Sequence, residues 1–553
     1  MSTAPQPPLQ TPPARRPLPV AVLLAVAVLW AWYCHHWPYL QTANEAMRLY
    51  FVQAVAETGR PELDPIVARH RVTPVDRSEF GGHVYMDKAP GASLLALPLY
   101  PAMLELQPDV AGEGLWKFGY LATLATMAVP LLLALYAMAR YLAAIGLAPR
   151  SVAVTVVALA TASPLLVYAS LFFGHALAAA AIGVAFFAIA GRDGRPSRRA
   201  RWLAGAALGL GGLTDTPVFV LAAGVVLYAW LRCAPLPTAG QGWRAWQVPA
   251  RLRQTAPIWG GLAIGAVLQL LYNQWVLGHP LHFTYQYKGD QQLKAIMDTG
   301  FLGFRPPQAD ALVGLLLSAR RGLFYHAPWL AAAALGLGWR AASPAVSAGQ
   351  RLDALAALGL AGAYTLLVSG FADWPAGDCA GPRHLLPIVP LLGWGLGLTL
   401  EAPLKWWLRA GLWASVALAV ALHVPTTATF PYHFAQLERP VLELGVPLLL
   451  QRAFSPSIGQ WLGLPALASF VLFILMITGL WLAVLRRPKP DVGPEAPRWQ
   501  SWGATATVLV IWVVGLTSVV PEHPGRAAEV GRYRASVMLQ QGAKGKGHHL
   551  ARP

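Results

Sequence analysis

Long apolar runs without a charged side chain recur along this sequence. The twenty residues from Ala466 to Leu485 contain no Asp, Glu, Lys or Arg, and the run from Pro19 to Trp32 also lacks them. About 20 apolar residues in a helix cross the roughly 30 Å hydrocarbon core of a bilayer. In lipid every backbone polar group needs an internal partner, which a helix provides. The sequence therefore predicts an all-α polytopic membrane protein.

The scarcity of charged residues excludes a water-soluble globular protein. Charged residues make up 12% of the 553 positions, against about 25% in soluble domains. The net charge of +17 would suit a nucleic-acid-binding protein, but the basic residues form short clusters between apolar runs, as at Arg198, Arg199 and Arg201. That placement is typical of membrane orientation signals and argues against nucleic acid as a partner. The three cysteines are too scattered to predict a disulfide framework or a thiolate metal site.

The apolar runs predict about thirteen transmembrane helices joined by extracytoplasmic loops and interfacial helices. A further apolar segment at 92–106 is interrupted by Pro98 and Pro101, and its short length favours an interfacial or re-entrant position. The predicted spans lie near 18–36, 116–140, 152–170, 174–191, 202–214, 216–232, 256–277, 322–338, 354–370, 384–400, 407–425, 461–485 and 502–520.

Charge divides between the two predicted faces and orients the chain. Short basic connectors alternate with long loops that hold twenty of the 25 acidic residues. Since Lys and Arg concentrate in cytoplasmic connectors, the N-terminus is predicted to be cytoplasmic and the long loops to lie outside the cell membrane. The predicted regions are an N-terminal tail at 1–17, a transmembrane catalytic-type module at 18–425 with its first outer loop at 37–115, an outer loop and two last helices at 426–520, and a basic tail at 521–553.

The first outer loop contains two candidate elements. Residues 43–57 carry apolar side chains at helical spacing and predict an amphipathic surface helix in which Glu45 and Arg48 pair. The second element is the turn at 85–91, which places Lys88 directly before an apolar segment. A lysine at that boundary either extends its ammonium group to the interface or binds a lipid phosphate.

This loop resembles that of integral-membrane glycosyltransferases with the C-type fold, which include protein mannosyltransferases and the aminoarabinose transferase of lipid A. In that family an acidic pair opens the loop, and a lysine turn precedes an apolar segment. Asn44 and Glu45 stand where the acidic pair would be, and Asp87–Lys88–Ala89–Pro90–Gly91 stands at the lysine turn. The stretches 321–328 and 373–384 are similar to turns in bacterial members. The resemblance is best over the first third of the chain.

The resemblance implies an inverting transferase that passes a sugar from a polyprenyl-phosphate donor to a glycan, lipid or protein acceptor. It implies Glu45 or Asp87 as the catalytic base and Lys88 and Arg383 as ligands of the donor phosphate. One departure is Asn44, which replaces the usual Asp and cannot act as a base. The other residues predicted to bind substrate are Asn44, Arg48, Asp64, His175, Asp215, Tyr287, His326, Asp378 and His384.

For several of these candidates the sequence allows both a functional and a purely structural interpretation. Ionisable residues near helix ends, such as His175 and His326, mark functional sites when they are buried in a membrane, whereas Asp215 before Thr216 and Pro217 also suits a helix cap. Tyr287, together with Tyr285 and Lys288, lines an acceptor groove or belongs to an aromatic belt at the interface.

Two other functions fit the sequence less well. A transporter or flippase of lipid-linked saccharides needs charges at mid-membrane depth and repeated halves, whereas this chain keeps its carboxylates in loops. An assembly subunit without catalysis is consistent with Asn44. The sequence carries no cofactor motif, and it neither requires nor excludes a divalent metal ion.

Overall fold

The computed structural model of the protein describes residues 20–37, 39–72, 74–191, 196–234, 246–487 and 526–542. Helices of the first half are α1 Val20–Trp30, α2 Ala43–Thr58, α3 Asp64–His70, α4 Gly91–Ala96, α5 Leu99–Leu106, α6 Leu115–Thr123, α7 Val129–Ala144, α8 Pro149–Thr161, α9 Leu165–Tyr168, α10 Gly174–Ala190, α11 Arg198–Thr214, α12 Val218–Arg232 and α13 Val248–Leu277. Those of the second half are α14 Gln291–Met297, α15 Ala309–Leu317, α16 Leu323–His326, α17 Trp329–Ala342, α18 Ala348–Ser369, α19 Val389–Gly393, α20 Gly395–Glu401, α21 Trp406–Ala428, α22 Val446–Leu450, α23 Ile458–Trp461, α24 Ala466–Leu485 and α25 Arg526–Gly542.

Six helical stretches are long and apolar enough to cross a membrane. They are Leu115–Ala144, Val248–Leu277, Ala348–Ser369, Arg383–Glu401, Trp406–Ala428 and Ala466–Leu485. Shorter apolar helices are Val20–Trp30, Pro149–Thr161, Gly174–Ala190, Val218–Arg232 and Val441–Leu450. The predicted helical, polytopic membrane class is confirmed, but the number of thirteen spans is not.

Two predicted spans have different bounds in the structure. The one near 322–338 is divided into α16 and α17, because Ala327 and Pro328 interrupt the helix. The one near 202–214 belongs to α11, which begins with three arginines among its first four residues. The predicted span at 502–520 and the N-terminal tail lie outside the described residues.

Glycines bring α11 and α13 into close contact. A Cβ atom added to Gly209 would lie 2.5 Å from the carbonyl oxygen of Gly261, and one added to Gly265 would lie 2.4 Å from the Cα of Gly209. Small residues at such crossings let two helix backbones approach in a membrane. The close crossing fixes the position of the C-terminal end of α11, where Asp215 follows as the C-cap.

A buried carboxylate ties three helices together at the end that carries the short basic connectors. Asp353 in α18 is fully buried and accepts hydrogen bonds from Tyr141 of α7 (2.9 Å) and Tyr228 of α12 (2.8 Å). The Nε of Arg232, also in α12, donates to the same carboxylate at 2.7 Å. A buried charge that is paired and hydrogen-bonded in this way holds its neighbours in one arrangement.

The opposite end, which we call the loop face, carries the long segments 39–72, 74–114, 278–322 and 370–388. A two-stranded antiparallel sheet lies there, formed by β1 Arg77–Phe80 and β2 His83–Met86. This hairpin was not predicted from the sequence, although Gly81 and Gly82 between the strands both have positive φ (59° and 84°). Two glycines in that conformation are typical of a tight β-hairpin turn.

Part of the predicted C-terminal tail is a helix packed on the 426–460 region. In α25, Arg534 donates from Nε to the carbonyl of Glu443 at 2.7 Å. The ring of Tyr533 stacks on Phe434 with centroids 4.5 Å apart. The rest of the region predicted as a tail lies outside the described residues.

Candidate functional site

Helix α2 forms the inner wall of the loop face. It begins where Thr42 accepts a hydrogen bond from the backbone N–H of Glu45 (3.3 Å) and ends at Gly59, whose φ of 70° stops the helix. The predicted helix is therefore present, but the predicted surface position is wrong. Every residue from 44 to 54 is buried, because elements distant in the sequence cover the polar side as well as the apolar side.

The predicted pair of Glu45 and Arg48 is not formed. Arg48 instead donates to Asn44 Oδ1 (3.2 Å) and to the carbonyl of Ala89 (3.2 Å), which joins α2 to the lysine turn. Glu45 points the other way, where its carboxylate accepts from the backbone N–H of Phe172 at 2.9 Å. Asn44 therefore positions an arginine, and Glu45 is fully buried away from it.

Asp87 lies at the centre of an ion-pair group on the loop face. It is fully buried and accepts from Lys88 Nζ at 3.1 Å. Lys88 also reaches Asp76 at 3.0 Å, and Lys288 contacts the same oxygen of Asp87 that Lys88 does. Burial opposes ionisation of Asp76, but the two lysines hold the pKa of Asp76 well below its usual range. Asp76 is therefore negatively charged at neutral pH.

Lys288 reaches this group because its segment pairs with the hairpin. Ser78 of β1 donates to the carbonyl of Thr284 at 2.6 Å, and the backbone N–H of Gly289 donates to the carbonyl of Arg77 at 3.1 Å. Burial disfavours the charged ammonium, but Asp87 and Asp76 raise the pKa of Lys288 above its usual value. The lysine is therefore positively charged although it is almost completely buried.

A second group of charged residues lies at the ends of α10 and α11. Nδ1 of His175 lies 2.8 Å from an oxygen of Asp215, and the rings of His175 and His384 meet edge to face at 5.1 Å. The guanidinium of Arg383 lies over the ring of Phe173, 5.4 Å from its centroid. Arg383 is the first residue of one of the six stretches that can cross a membrane. This group therefore lies at the end of an apolar helical stretch.

Gly174 and Arg48 lie where the ion-pair group around Asp87 meets the second group around His175. Gly174 begins α10, and a Cβ atom there would lie 3.0 Å from Nη2 of Arg48 and 2.9 Å from Thr214. A larger residue at position 174 would increase the distance between α10 and Arg48. Arg48 also interacts electrostatically with Asp87 on one side and Asp215 on the other. We call the combined set the charged cluster: Arg48, Asp76, Asp87, Lys88, His175, Asp215, Lys288, Arg383 and His384.

Two stretches that resemble family turns meet beside the charged cluster. Arg321 is almost fully buried and donates to the backbone carbonyls of Gly377 (2.5 Å), Cys379 (2.8 Å) and Pro375. The carbonyls of the 373–384 stretch thus satisfy one guanidinium, whose planar set of donors suits several acceptors at once. This contact holds the backbone that leads into Arg383.

The structure places the remaining predicted residues elsewhere. Asp64 is at the surface of α3 and contacts His83 at 3.2 Å. Tyr287 hydrogen-bonds His282 (3.0 Å), and Asp378 accepts from the backbone N–H of Ala435 (2.8 Å). His326, which lies 3.1 Å from the carbonyl of Ala319, packs its ring on His423. These four are not brought into the charged cluster, and Asn44 joins it only through Arg48.

Sequence reasoning missed Asp76 and the ion pair of Lys288. Asp76 stands in a polar stretch without a recognisable motif, and Lys288 is 201 positions from the carboxylate that it contacts. Asp373 lies in the 373–384 stretch but is not among the residues predicted to bind substrate. Burial raises the pKa of Asp373, although Arg383 and Lys88 act in the opposite direction.

The described residues contain no group of three or more His, Cys, Asp or Glu side chains arranged to hold a metal ion. Cys34, Cys233 and Cys379 are all buried and free. In the charged cluster, Lys88 lies within 3.0 Å of Asp76 and 3.1 Å of Asp87.

Solved structures that match this chain include two of ArnT and one of AglB. ArnT from Cupriavidus metallidurans in the apo state matches with 18% identity and a TM-score of 0.43 over 90% of this chain and 75% of ArnT. The same ArnT bound to undecaprenyl phosphate matches with 18% identity and a TM-score of 0.45 over the same shares. The archaeal oligosaccharyltransferase AglB from Archaeoglobus fulgidus, in complex with an inhibitory peptide and a dolichol-phosphate, has 10% identity and a TM-score of 0.42 over 89% of this chain and 63% of AglB.

No protein-family model matches the sequence, and no curated protein matches it significantly.

Proposed function

We propose that the protein is a membrane glycosyltransferase that moves a sugar from a polyprenyl-phosphate donor to an acceptor outside the cytoplasmic membrane, with inversion. The observation that carries the proposal is the charged cluster at the ends of apolar helices, where Lys88 and Lys288 contact the buried carboxylate of Asp87 and the guanidinium of Arg383 lies over the ring of Phe173. The tail of such a donor lies in lipid and its phosphate at the boundary. Cations are needed there to stabilise charge on the leaving phosphate.

We assign the following roles to residues of the charged cluster. Lys88 and Arg383 bind the donor phosphate, and Arg48 holds the lysine turn through the carbonyl of Ala89. Asp87, which the sequence suggested as a base, is ion-paired with Lys88 and Lys288. In our proposal Asp87 pairs with both lysines until the phosphate arrives and then competes with the phosphate for them.

Replacing Lys88 by alanine is expected to weaken binding of undecaprenyl phosphate at least about tenfold. A hydrogen bond to a charged group is worth about 1.5–3 kcal/mol, and tenfold corresponds to about 1.4 kcal/mol. Binding to purified protein in nanodiscs, followed by microscale thermophoresis, measures the effect. Lys117→Ala is the matched control, since Lys117 forms an ion pair with Asp109 (2.7 Å) outside the cluster.

Two results would contradict this assignment. A wild-type protein that does not bind the carrier removes the proposed donor and favours a transporter or an assembly subunit. If Lys88→Ala and Lys117→Ala bind the carrier equally well, the lysine turn is not the phosphate site.

Replacing Asp87 by asparagine is expected to act in the opposite direction and tighten carrier binding about tenfold. The phosphate competes with the Asp87 carboxylate for Lys88 and Lys288, and asparagine removes the competing charge. The same binding assay measures the change, with Asp109→Asn as the control for loss of an acidic residue. Weaker binding by Asp87→Asn would show that the carboxylate assists the phosphate site instead of competing with it.

A further inference from the structure

The proposed transferase needs a base, and the two residues that the family resemblance offers are poorly placed for that role. Asn44, which stands where the family usually has an acidic residue, cannot act as a base, and its side-chain oxygen accepts from Arg48. Glu45 is fully buried, and its two oxygens are engaged by Phe172 and Thr42. Asp87 is ion-paired with two lysines. The base therefore has to be sought among the other residues of the charged cluster.

We propose that His175, oriented by Asp215, is the general base of this site. An ionised carboxylate only accepts hydrogen bonds, so the 2.8 Å contact places the proton of the imidazole on Nδ1. The lone pair is then on Nε2, which makes no hydrogen bond with the described part of the chain. The His175 side chain keeps 15% of its surface exposed, so an acceptor can reach it. The inference rests on the proposed function.

The position of His175 in the cluster supports this role. It is the second residue of α10, next to Gly174, whose small size lets α10 approach Arg48. Phe173, two residues before it, carries the guanidinium of Arg383 on its ring. The charged and titratable groups around the imidazole are Asp215 after α11, Arg48 from α2, and Arg383 and His384 from the turn before α19.

In the proposed reaction, the acceptor hydroxyl loses its proton to His175 and receives the sugar from the donor. Nε2 of His175 takes the proton of the acceptor hydroxyl as the acceptor oxygen bonds to the anomeric carbon from the face opposite the phosphate. The bond between that carbon and the phosphate oxygen breaks, and its electron pair leaves with the phosphate, which Lys88 and Arg383 hold. Asp215 stabilises the imidazolium, which then releases the proton to water. In this scheme Asp215 is a positioning residue.

The test compares turnover with carrier binding in purified full-length protein. Undecaprenyl phosphate is the binding probe, and a panel of undecaprenyl-phosphate-linked hexoses and pentoses with a cell-envelope extract is the turnover probe. His175→Gln is expected to lower kcat about 100-fold or more while the carrier Kd stays within about threefold of the wild-type value, which also shows that the variant is folded. Asp215→Asn should lower kcat less, and Asp215→Glu should restore part of that loss.

His282→Gln is the matched control, because His282 bonds to Tyr287 outside the cluster. If the wild type turns over a donor and His175→Gln keeps its kcat, the inference is overturned and the proposed function stands. Loss of carrier binding in His175→Gln also overturns it, because the imidazole would then be a phosphate ligand. A wild type that releases no sugar from any member of the panel contradicts the proposed function, and the inference with it.

Discussion

Replacing Asp353 by alanine is expected to lower the free energy of unfolding by about 3–5 kcal/mol, the usual cost of removing one partner from a buried ion pair. Arg232, with 9% of its side chain exposed, would lose its nearest carboxylate. The hydroxyl groups of Tyr141 and Tyr228 would each lose their hydrogen bond to Asp353. The melting temperature in detergent measures the change.

The comparison variants separate charge from packing. Asp353→Asn keeps the shape and one acceptor oxygen, so it should destabilise the protein less than Asp353→Ala does. Glu105→Ala removes an acidic residue that is exposed at the end of α5 and should leave the melting temperature within about 1 °C. Equal melting temperatures for Asp353→Ala and Glu105→Ala would show that the buried carboxylate does not hold α7, α12 and α18 together.

The stability of the protein is expected to fall as pH rises through neutrality because of Glu45. Burial raises the pKa of Glu45 to about 7 from an ordinary value of 4.5, against the opposing hydrogen bond from Phe172. The protonated form is therefore favoured by folding, and its contribution is fully present below about pH 4.5 and is lost as pH rises through about 7. Since a tenfold change in proton affinity corresponds to about 1.4 kcal/mol, the loss amounts to about 3 kcal/mol.

Glu45→Gln should remove this contribution, because glutamine keeps the hydrogen-bonding shape without an ionisable proton. Its melting temperature should exceed that of the wild type at pH 8 and approach it at pH 5. Glu105→Gln, at an exposed position, controls for the general loss of one negative charge. If Glu45→Gln and the wild type lose stability equally between pH 5 and pH 8, Glu45 does not carry the dependence.

The features that could be predicted from sequence are those set by local composition. Apolar runs of about 20 residues determine the helical membrane class, because lipid excludes unpaired backbone. The lysine turn and Arg383 could be identified because each adjoins an apolar segment, and the structure brings both to the loop face. The turn at Gly81 and Gly82 carries an equally local signal for the hairpin.

The features that could not be predicted depend on distant parts of the chain. The surface position expected for α2 was wrong because its cover comes from segments that no periodicity within 43–57 reveals. The ion pair of Lys288 with Asp87 has no pattern at either residue. Glu45 shows the same limit, since only the fold places its carboxylate against the backbone N–H of Phe172.

The contact between Lys288 and Asp87 also constrains the order in which the protein can mature. Chains fold from the N-terminus as they are synthesised, so Asp87 is inserted 201 residues before its partner exists. Until then Lys88 is the lysine beside the Asp87 carboxylate. Because burying this charge without Lys288 would be costly, we expect the first loop to stay hydrated and open. The ion pair can form only after the segment that follows α13 has been synthesised and has reached the same side of the membrane as the first loop. A ribosome-bound chain ending near residue 280 should therefore expose the hairpin to protease, whereas one extended past α14 should protect it.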